Sequence, residues 1–183
     1  MPFDPSRHQR ASTRLPGRDY TAPGQYFVTM CAAKGACLFG EVRAGVMRLN
    51  EAGHIVREEW ARTRHVRPGV DIDVFVVMPN HVHAIVIIEE QRGAAQRAAP
   101  TLVQGGGLKG RSLGAIVGQV KSITTKRIRR EMGRPNLDVW QRGYHDRVIR
   151  GKEEWLHLRE YVLRNPANWD ADPDNTVRRR SPT

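Results

Sequence analysis

The most regular hydrophobic pattern in this chain runs through residues 71–88. Apolar residues dominate both halves of the stretch, and a Met-Pro-Asn break at 78–80 divides them. Proline lacks a backbone N–H and asparagine tolerates turn geometry, so the pattern predicts two strands joined by a short turn. The second strand begins at His81. Because side chains on a strand alternate between its two faces, His81 and His83 are expected to point the same way.

Three other stretches are predicted to be extended. Residues 26–32 are rich in β-forming residues and are predicted to form the first strand of the chain. Residues 37–43 are predicted to form a second strand after a loop at Lys34-Gly35, which favours a hairpin between these two strands. Residues 139–149 are expected to form a further extended segment.

Three helices are predicted from apolar residues at helical spacing and from terminal signals. Asn50 is expected to cap a helix that ends before Pro68, and Ser112 a longer helix that reaches about Met132. The last helix is predicted to run from about Lys152 to Asn165, before Pro166. The apolar faces are expected to contain Ile55, Val56 and Trp60, then Leu113, Ile116, Val117, Val120 and Ile123, and finally Trp155, Leu158, Val162 and Leu163.

The chain is expected to form one domain with two basic ends. Residues 1–24 are predicted to be a basic arm, residues 25–168 the folded domain, and residues 169–183 a basic tail. Inside the domain, residues 89–111 are too rich in glycine for a buried element and are predicted to be a surface insertion. A phosphate-cradling loop is the alternative, but the insertion lacks the Walker spacing.

Composition narrows the class of partner. The chain has 183 residues, with 30 lysines and arginines against 19 acidic residues, for a formal net charge of +11. Such a basic balance favours nucleic acid over an anionic membrane. No apolar run approaches the roughly 20 residues of a spanning helix. The two cysteines fit reduced thiols, so we expect a cytoplasmic protein that works at the nucleoid.

Candidate nucleic-acid contacts lie on the second predicted helix and on the extended segment that follows it. Basic side chains crowd the second half of the helix, and the segment alternates aromatic and basic residues, as single-strand binding surfaces do. A solvated helix face and rings packed on a sheet are the alternatives. The candidates are Lys121, Lys126, Arg127, Arg129, Arg130, Trp140, Arg142 and Arg147.

The candidate chemistry lies on one strand and on the last helix. Paired imidazoles at His81 and His83 can form half of a metal site, although ordinary strand histidines are the alternative. On the last helix, Tyr161 and Asn165 are four residues apart and share a face, so they could act as a nucleophile and a metal ligand. An edge-of-core tyrosine and a helix-terminal asparagine are equally compatible. His157 lies one turn before Tyr161 and could assist it.

Four motifs in this order resemble the HUH single-strand transposases, and in particular the REP-associated tyrosine transposases. They are Met-Pro-Asn-His-Val-His on a strand, Gly-Gln-Val-Lys-Ser-Ile-Thr on the basic helix, Val-Trp-Gln-Arg-Gly-Tyr, and the closing Tyr-Val-Leu-Arg-Asn-Pro. The resemblance covers roughly residues 26–165, and the insertion at 89–111 departs from it. It implies a ferredoxin-like α+β fold, with helices on one face of an antiparallel sheet and a C-terminal helix that bears the nucleophile.

The resemblance also implies roles for individual residues. Tyr161 would be the nucleophile, and His81, His83 and Asn165 would hold Mg²⁺ or Mn²⁺. The expected activity is nicking and rejoining of single-stranded DNA at REP-like hairpins through a covalent 5′-phosphotyrosine, with a monomer favoured over a dimer. The alternatives are a catalytically inactive protein that binds DNA or RNA hairpins, and a metal-dependent hydrolase without a covalent intermediate.

Overall fold

The computed structural model describes residues 22–90 and 112–175. The predicted insertion and both predicted basic ends lie largely outside these ranges. Six strands and three α-helices follow one another within them. They are β1 (Gly24–Cys31), β2 (Gly40–Arg43), β3 (Val46–Leu49), α1 (Glu51–Val66), β4 (Val70–Val77), β5 (His81–Ile88), α2 (Leu113–Glu131), β6 (His145–Ile149) and α3 (Lys152–Arg164).

The central sheet has the strand order β4-β5-β1-β6, and every neighbouring pair in it is antiparallel. The fold is therefore α+β, as the resemblance implied. The predicted turn between β4 and β5 is confirmed, and the backbone N–H of Met78 donates to the carbonyl of His81 across it at 2.8 Å. The carbonyls of Pro79 and Asn80 accept from Phe39 and Ala32, which fixes the start of β5 in place.

The main core lies between the sheet and the pair of helices α1 and α2. Side chains from alternate positions of β1 and β5, such as Val28 and Ala84, are fully buried there together with Trp60. Asn50 and Ser112 cap the two helices as predicted, each accepting a backbone N–H three residues ahead. The predicted apolar faces of α1 and α2 are buried, except that Ile123 is only half-buried.

The third helix lies on the opposite face of the sheet, so the expectation that all helices pack on one face is wrong. Leu158 and Val162 of α3 pack with Val74, Ile85 and Ile149 in a separate small cluster. The strands supply both faces because their residues alternate, and β5 is apolar on each of them. The expected packing of Leu163 is also wrong, since this side chain is 57% exposed.

The predicted hairpin between the first two strands is wrong. The strand β1 pairs with β5 and β6, whereas β2 pairs with β3 in a separate two-stranded sheet. Ala44 and Gly45, which join β2 to β3, both have positive φ angles of 50° and 72°. Two consecutive positive φ angles are the requirement of a tight hairpin turn. The turn chemistry therefore places the hairpin after Arg43 rather than before Cys37.

Candidate metal and nucleophile site

The pair of histidines lies on the face of the sheet that α3 covers. The alternation of β5 directs His81 and His83 away from the main core, and both are buried, at 0% and 2% exposure. Their rings lie 4.4 Å apart, centroid to centroid. The predicted shared orientation is confirmed by this contact. In register, Thr29 of β1 lies opposite His83, and Cys31 lies opposite His81.

A hydrogen bond that His81 donates to Asn80 determines which nitrogen of His81 faces the site. The Nδ1 atom of His81 lies 2.9 Å from Oδ1 of Asn80, while the Asn80 amide nitrogen donates to the carbonyl of Asp174 at 2.7 Å. Since Oδ1 can only accept, Nδ1 carries the proton and Nε2 keeps its lone pair. Within the described part of the chain, that buried Nε2 has no hydrogen-bond partner. An oriented, unprotonated Nε2 is what a metal ion requires of a histidine.

His83 is oriented by Thr29 and reaches Tyr161. Its Nδ1 lies 2.8 Å from the hydroxyl of Thr29, and its Nε2 lies 3.3 Å from the phenolic oxygen of Tyr161. Phe27 stacks on the imidazole, with ring centroids 5.2 Å apart, and meets the ring of Tyr161 edge-on. The strand and the last helix therefore bring the predicted ligand and the predicted nucleophile into direct contact.

The helix that carries Tyr161 is anchored to the sheet by Asp73. The Trp155 indole N–H donates to one carboxylate oxygen at 2.7 Å, and Arg159 lies 3.4 Å from the other. A register shift between Ile72 and Phe75 marks a β-bulge at this point of β4. Such a bulge lets two successive side chains face the same side. Here Asp73 and Val74 both face α3, so the carboxylate of Asp73 can hold two successive turns of that helix.

We expect Asp73→Ala to loosen α3 without unfolding the domain. The change leaves the Trp155 N–H unpaired and removes the partner of Arg159, at a cost of about 1–3 kcal/mol. Hydrogen exchange should quicken across α3 and stay unchanged in α1. The control is Asp71→Ala on the same strand, because Asp71 makes an ion pair with Arg64 that is about half exposed and contributes little. Equal exchange rates in the two variants would contradict this role.

Asn165 lies at the C-terminal end of α3, and only one of its two side-chain amide atoms is hydrogen-bonded within the described part of the chain. Its nitrogen donates to Asp172 at 2.8 Å, and Asp172 also accepts the backbone N–H of Asp174 at 2.7 Å. The side chain is 1% exposed, and its Oδ1 has no hydrogen-bond partner among the described residues. The amide is close enough to both His81 and Tyr161 to influence their pKa values. Asp172 thus holds the amide with a bare acceptor oxygen beside the histidines.

A carboxylate that the sequence analysis did not assign completes the cluster. The structure continues past α3 through Trp169–Ala171, and this segment folds back so that the Trp169 ring lies 6.0 Å from that of His81. Asp174 follows this segment. One oxygen of its carboxylate, one ring nitrogen of His81 and one ring nitrogen of His83 all lie within 4.8 Å of one another. Residues 169–175, which the sequence assigned to a basic tail, therefore form one wall of the site.

Burial controls the protonation of the cluster. It lowers the pKa of His81 and lowers the pKa of His83 well below the ordinary value, so both imidazoles are neutral at pH 7. Burial, reinforced by the charges of Asp172 and Asp174, raises the pKa of Tyr161 to about 12. The site thus presents neutral ligands and a protonated phenol, and a cation placed there would oppose the effect of the two carboxylates.

The residues present fit a divalent cation. Two neutral imidazoles, the carboxylate of Asp174 and the bare oxygen of Asn165 are nitrogen and oxygen donors, and the cluster contains no thiolate. Such a set suits Mg²⁺ or Mn²⁺ better than structural zinc. The unpartnered Nε2 of His81 and Oδ1 of Asn165 are buried polar atoms that a bound ion would satisfy.

The predicted nucleic-acid contacts differ in whether their side chains already have partners within the protein. Four cations have internal partners: Lys121 and Arg129 donate to backbone carbonyls, Arg127 pairs with Glu58 and Glu59, and Arg147 pairs with Glu154. Arg130 is exposed beside Glu131, at 3.5 Å. Lys126 and Arg142 are exposed, and Trp140 donates its indole N–H to Thr124 at 2.9 Å. His157 is exposed and makes no hydrogen bond to Tyr161.

Comparison with known proteins identifies the family of this chain. No family model matches the sequence. The sequence is 37% identical over 170 residues to a protein of Haemophilus influenzae that is described only as uncharacterized, and the match covers 90% of this chain and 92% of that protein. The chain belongs to the family of that protein.

A solved structure identifies the fold of this chain. A REP-associated tyrosine transposase bound to a REP hairpin superposes with a TM-score of 0.58 and 17% sequence identity, over 85% of this chain and 74% of that one. The chain therefore has the fold of that transposase, as the resemblance implied. A second match is a putative transposase from Deinococcus radiodurans, with a TM-score of 0.45 and 14% identity, over 82% and 96% of the two chains.

Four residues of the site escaped the sequence analysis. Thr29, Asn80 and Asp172 orient the histidines and Asn165, and Asp174 joins the ligand set. Asn80 precedes His81 directly, so its place in a tight turn was the one local signal available. The others are distant in sequence from the residues they contact, and short polar residues on a strand or in a tail carry no pattern of their own.

Proposed function

We propose that this protein is a tyrosine transposase that nicks and rejoins single-stranded DNA through a covalent 5′-phosphotyrosine. The observation that carries the proposal is the 3.3 Å contact between the Tyr161 oxygen and Nε2 of His83, inside a cluster that can hold a metal ion. A nucleophile beside a cation site is the arrangement that phosphoryl transfer needs. The shared fold with a transposase bound to a REP hairpin adds support.

The metal would be held by His81, His83 and Asp174, with the amide oxygen of Asn165 as a fourth donor. When bound, a divalent cation supplies Lewis acidity and neutralises charge on the phosphodiester. The chain itself supplies the orientation of these donors. Asn80 keeps the His81 lone pair directed inward, Thr29 fixes the ring orientation of His83 through its Nδ1, and Asp172 turns the amide of Asn165 so that its oxygen is bare.

The proposed reaction exchanges one ester bond for another. The Tyr161 oxygen forms a bond to phosphorus while the bond from phosphorus to the 3′ oxygen of the preceding nucleotide breaks. The phenol loses its proton and the departing 3′ oxygen gains one, so the products are a 5′-phosphotyrosine and a free 3′-OH. Attack by a 3′-OH on the phosphotyrosine reverses these changes. The ester bond is conserved throughout, so rejoining requires no nucleotide triphosphate.

The proposed substrate is a single-stranded DNA that folds into a hairpin of the REP type. The formal net charge of +11 suits a polyanion, and the exposed cations of α2 and the following segment provide phosphate contacts. Among the candidate residues, Lys126, Arg130 and Arg142 are the cations best placed to contact DNA. Lys121, Arg127, Arg129 and Arg147 would act by shaping the surface, since each donates at 2.9 Å or less to a partner on another segment, whereas Arg130 pairs only with its neighbour Glu131 at 3.5 Å.

The test is a denaturing gel of the protein incubated with a labelled single-stranded hairpin and Mn²⁺. A labelled band that migrates with the protein is the expected result. Cleavage without such a band would replace the proposal by a metal-dependent hydrolase. Binding in a native gel with neither cleavage nor adduct would replace it by a hairpin-binding protein without chemistry.

We expect the two extra oxygen donors to contribute unequally to metal binding. Asp174→Asn should weaken Mn²⁺ binding by roughly 10- to 100-fold, because it removes a charged ligand, whereas Asn165→Ala removes a neutral donor and should cost less. Calorimetric titration with Mn²⁺ measures both. Asp170→Asn is the matched control, since it lies on the same segment but is exposed. Unchanged affinity in Asp174→Asn would exclude this carboxylate as a ligand.

A further inference from the structure

An open groove of about 440 Å³ runs between the second half of α2 and the segment 138–143. One wall is formed by Ser122, Thr125 and Lys126 of the helix, and the other includes Trp140 and Arg142. A volume of several hundred Å³ is typical of ligand sites. Its charged lining consists of four basic side chains, Lys121, Lys126, Arg129 and Arg142, and one acidic side chain, Asp138, so its occupant should carry negative charge.

Two cations of α2 hold the walls of this groove in a fixed shape. Lys121 donates to the carbonyls of Gln141, at 2.9 Å, and of Gly143. Arg129 donates to the carbonyl of Leu137 at 2.8 Å. Both ends of the segment are thereby tied to the helix. These two cations are committed to the backbone, and the groove they shape is preformed.

Two other cations remain available for a ligand. Lys126 and Arg142 lie on opposite walls and are exposed, and within residues 22–90 and 112–175 neither makes an ion pair or a side-chain hydrogen bond. Arg127, the neighbour of Lys126, instead bonds Glu58 and Glu59 at 2.7 Å each. An unpaired cation on each side of a preformed groove can bind the phosphates of one strand that passes between them.

The groove leads to the histidine cluster. Trp140 forms a bridge to Ala32, and the N–H of Gln141 donates to the carbonyl of Cys31 at 2.9 Å. Cys31 lies opposite His81 in the sheet. The segment that forms one wall of the groove is therefore attached to β1 at the position next to His81.

We propose that this groove binds the unpaired DNA segment that extends from the hairpin beside the scissile phosphate, with Lys126 and Arg142 contacting its phosphates. The inference rests on the proposed function, because it takes the strand cut at Tyr161 as the occupant. In this proposal the groove positions the single-stranded segment, and other surfaces of the protein bind the duplex stem. The ring of Trp140 is fixed by its bond to Thr124 and forms part of the wall.

The experiment compares hairpins with and without unpaired extensions. Fluorescence anisotropy in a chelator measures the Kd of a hairpin that carries a 5′ extension, a 3′ extension or none, for the wild type and for the double variant Lys126→Ala with Arg142→Ala. The variant should lose several-fold in affinity for one extended hairpin and less than twofold for the trimmed one. Its salt dependence on the extended DNA should fall by about 0.7 log unit per log unit of salt for each cation removed.

The matched control is Arg130→Ala, which removes the same charge from the same helix outside the groove. It should affect all three hairpins equally. Equal losses on all DNAs in the double variant, or no loss on any, would overturn the proposed groove function, as would a wild type that binds extended and trimmed hairpins alike. The adduct gel on the wild type separates these outcomes from failure of the proposed function, since an adduct can form whether or not the groove contributes.

Discussion

The variant Tyr161→Phe should form no covalent adduct with a single-stranded hairpin, with a rate at least about 10⁴-fold below that of the wild type. The substitution removes only the phenolic oxygen, which lies 3.3 Å from Nε2 of His83, and keeps the ring that meets Phe27 edge-on. Because the half-buried ring remains in place, DNA binding should stay within a few-fold of the wild type. The denaturing gel measures the adduct, and a native gel measures the binding.

Tyr144→Phe is the matched control for the same loss of a hydroxyl, since Tyr144 lies on the segment before β6, outside the histidine cluster. It should form the adduct at the normal rate. An adduct formed by Tyr161→Phe would assign the nucleophile to another residue. Unchanged cleavage with no adduct in either protein would instead indicate that water is the attacking group.

The double variant His81→Ala with His83→Ala should bind no Mn²⁺ measurably and should cleave no DNA at any Mn²⁺ concentration. Both imidazoles are buried and neutral because burial lowers their pKa values, and their nitrogens are the central donors of the cluster. Their loss removes two of the four candidate donors and leaves only Asp174 and Asn165. Calorimetry with Mn²⁺ and the denaturing gel check the two parts of this prediction.

The matched control is His145→Ala, because His145 lies opposite Thr29 on β6 but is exposed. It should bind Mn²⁺ and form the adduct normally. Folding of the double variant is checked by the thermal unfolding midpoint, and Val82 and Ala84 keep β5 in the main core. A folded double variant that still cuts DNA with Mn²⁺ would place the metal elsewhere in the protein.

The sequence predicted the elements where a local signal was strong. The caps at Asn50 and Ser112 and the break at 78–80 appear in the structure as expected. The shared face of His81 and His83 followed from the two-residue period of a strand, and the contact between their rings confirms it. These features depend on neighbours within a few residues, so a single sequence contains the information.

Pairing between distant elements was less accessible. The sequence placed a hairpin between the first two strands, but the positive φ angles at Ala44 and Gly45 put the turn one strand later. The resemblance to the transposases also implied helices on one face of the sheet. The strand β5 is apolar on both faces, so its pattern alone was compatible with α3 on either side.

The sequence by itself located every strand except β3, together with the three helices and the histidine pair, because hydrophobic period, caps and turn residues act over short distances. Only the tertiary structure decided that Asp174 returns to that pair and that Asp172 turns the amide of Asn165. It also decided which cations form ion pairs within the protein, as Arg127 does with Glu59, and which remain exposed, as Lys126 does. Those outcomes depend on contacts between residues far apart in the chain, which only chain folding brings within reach of one another.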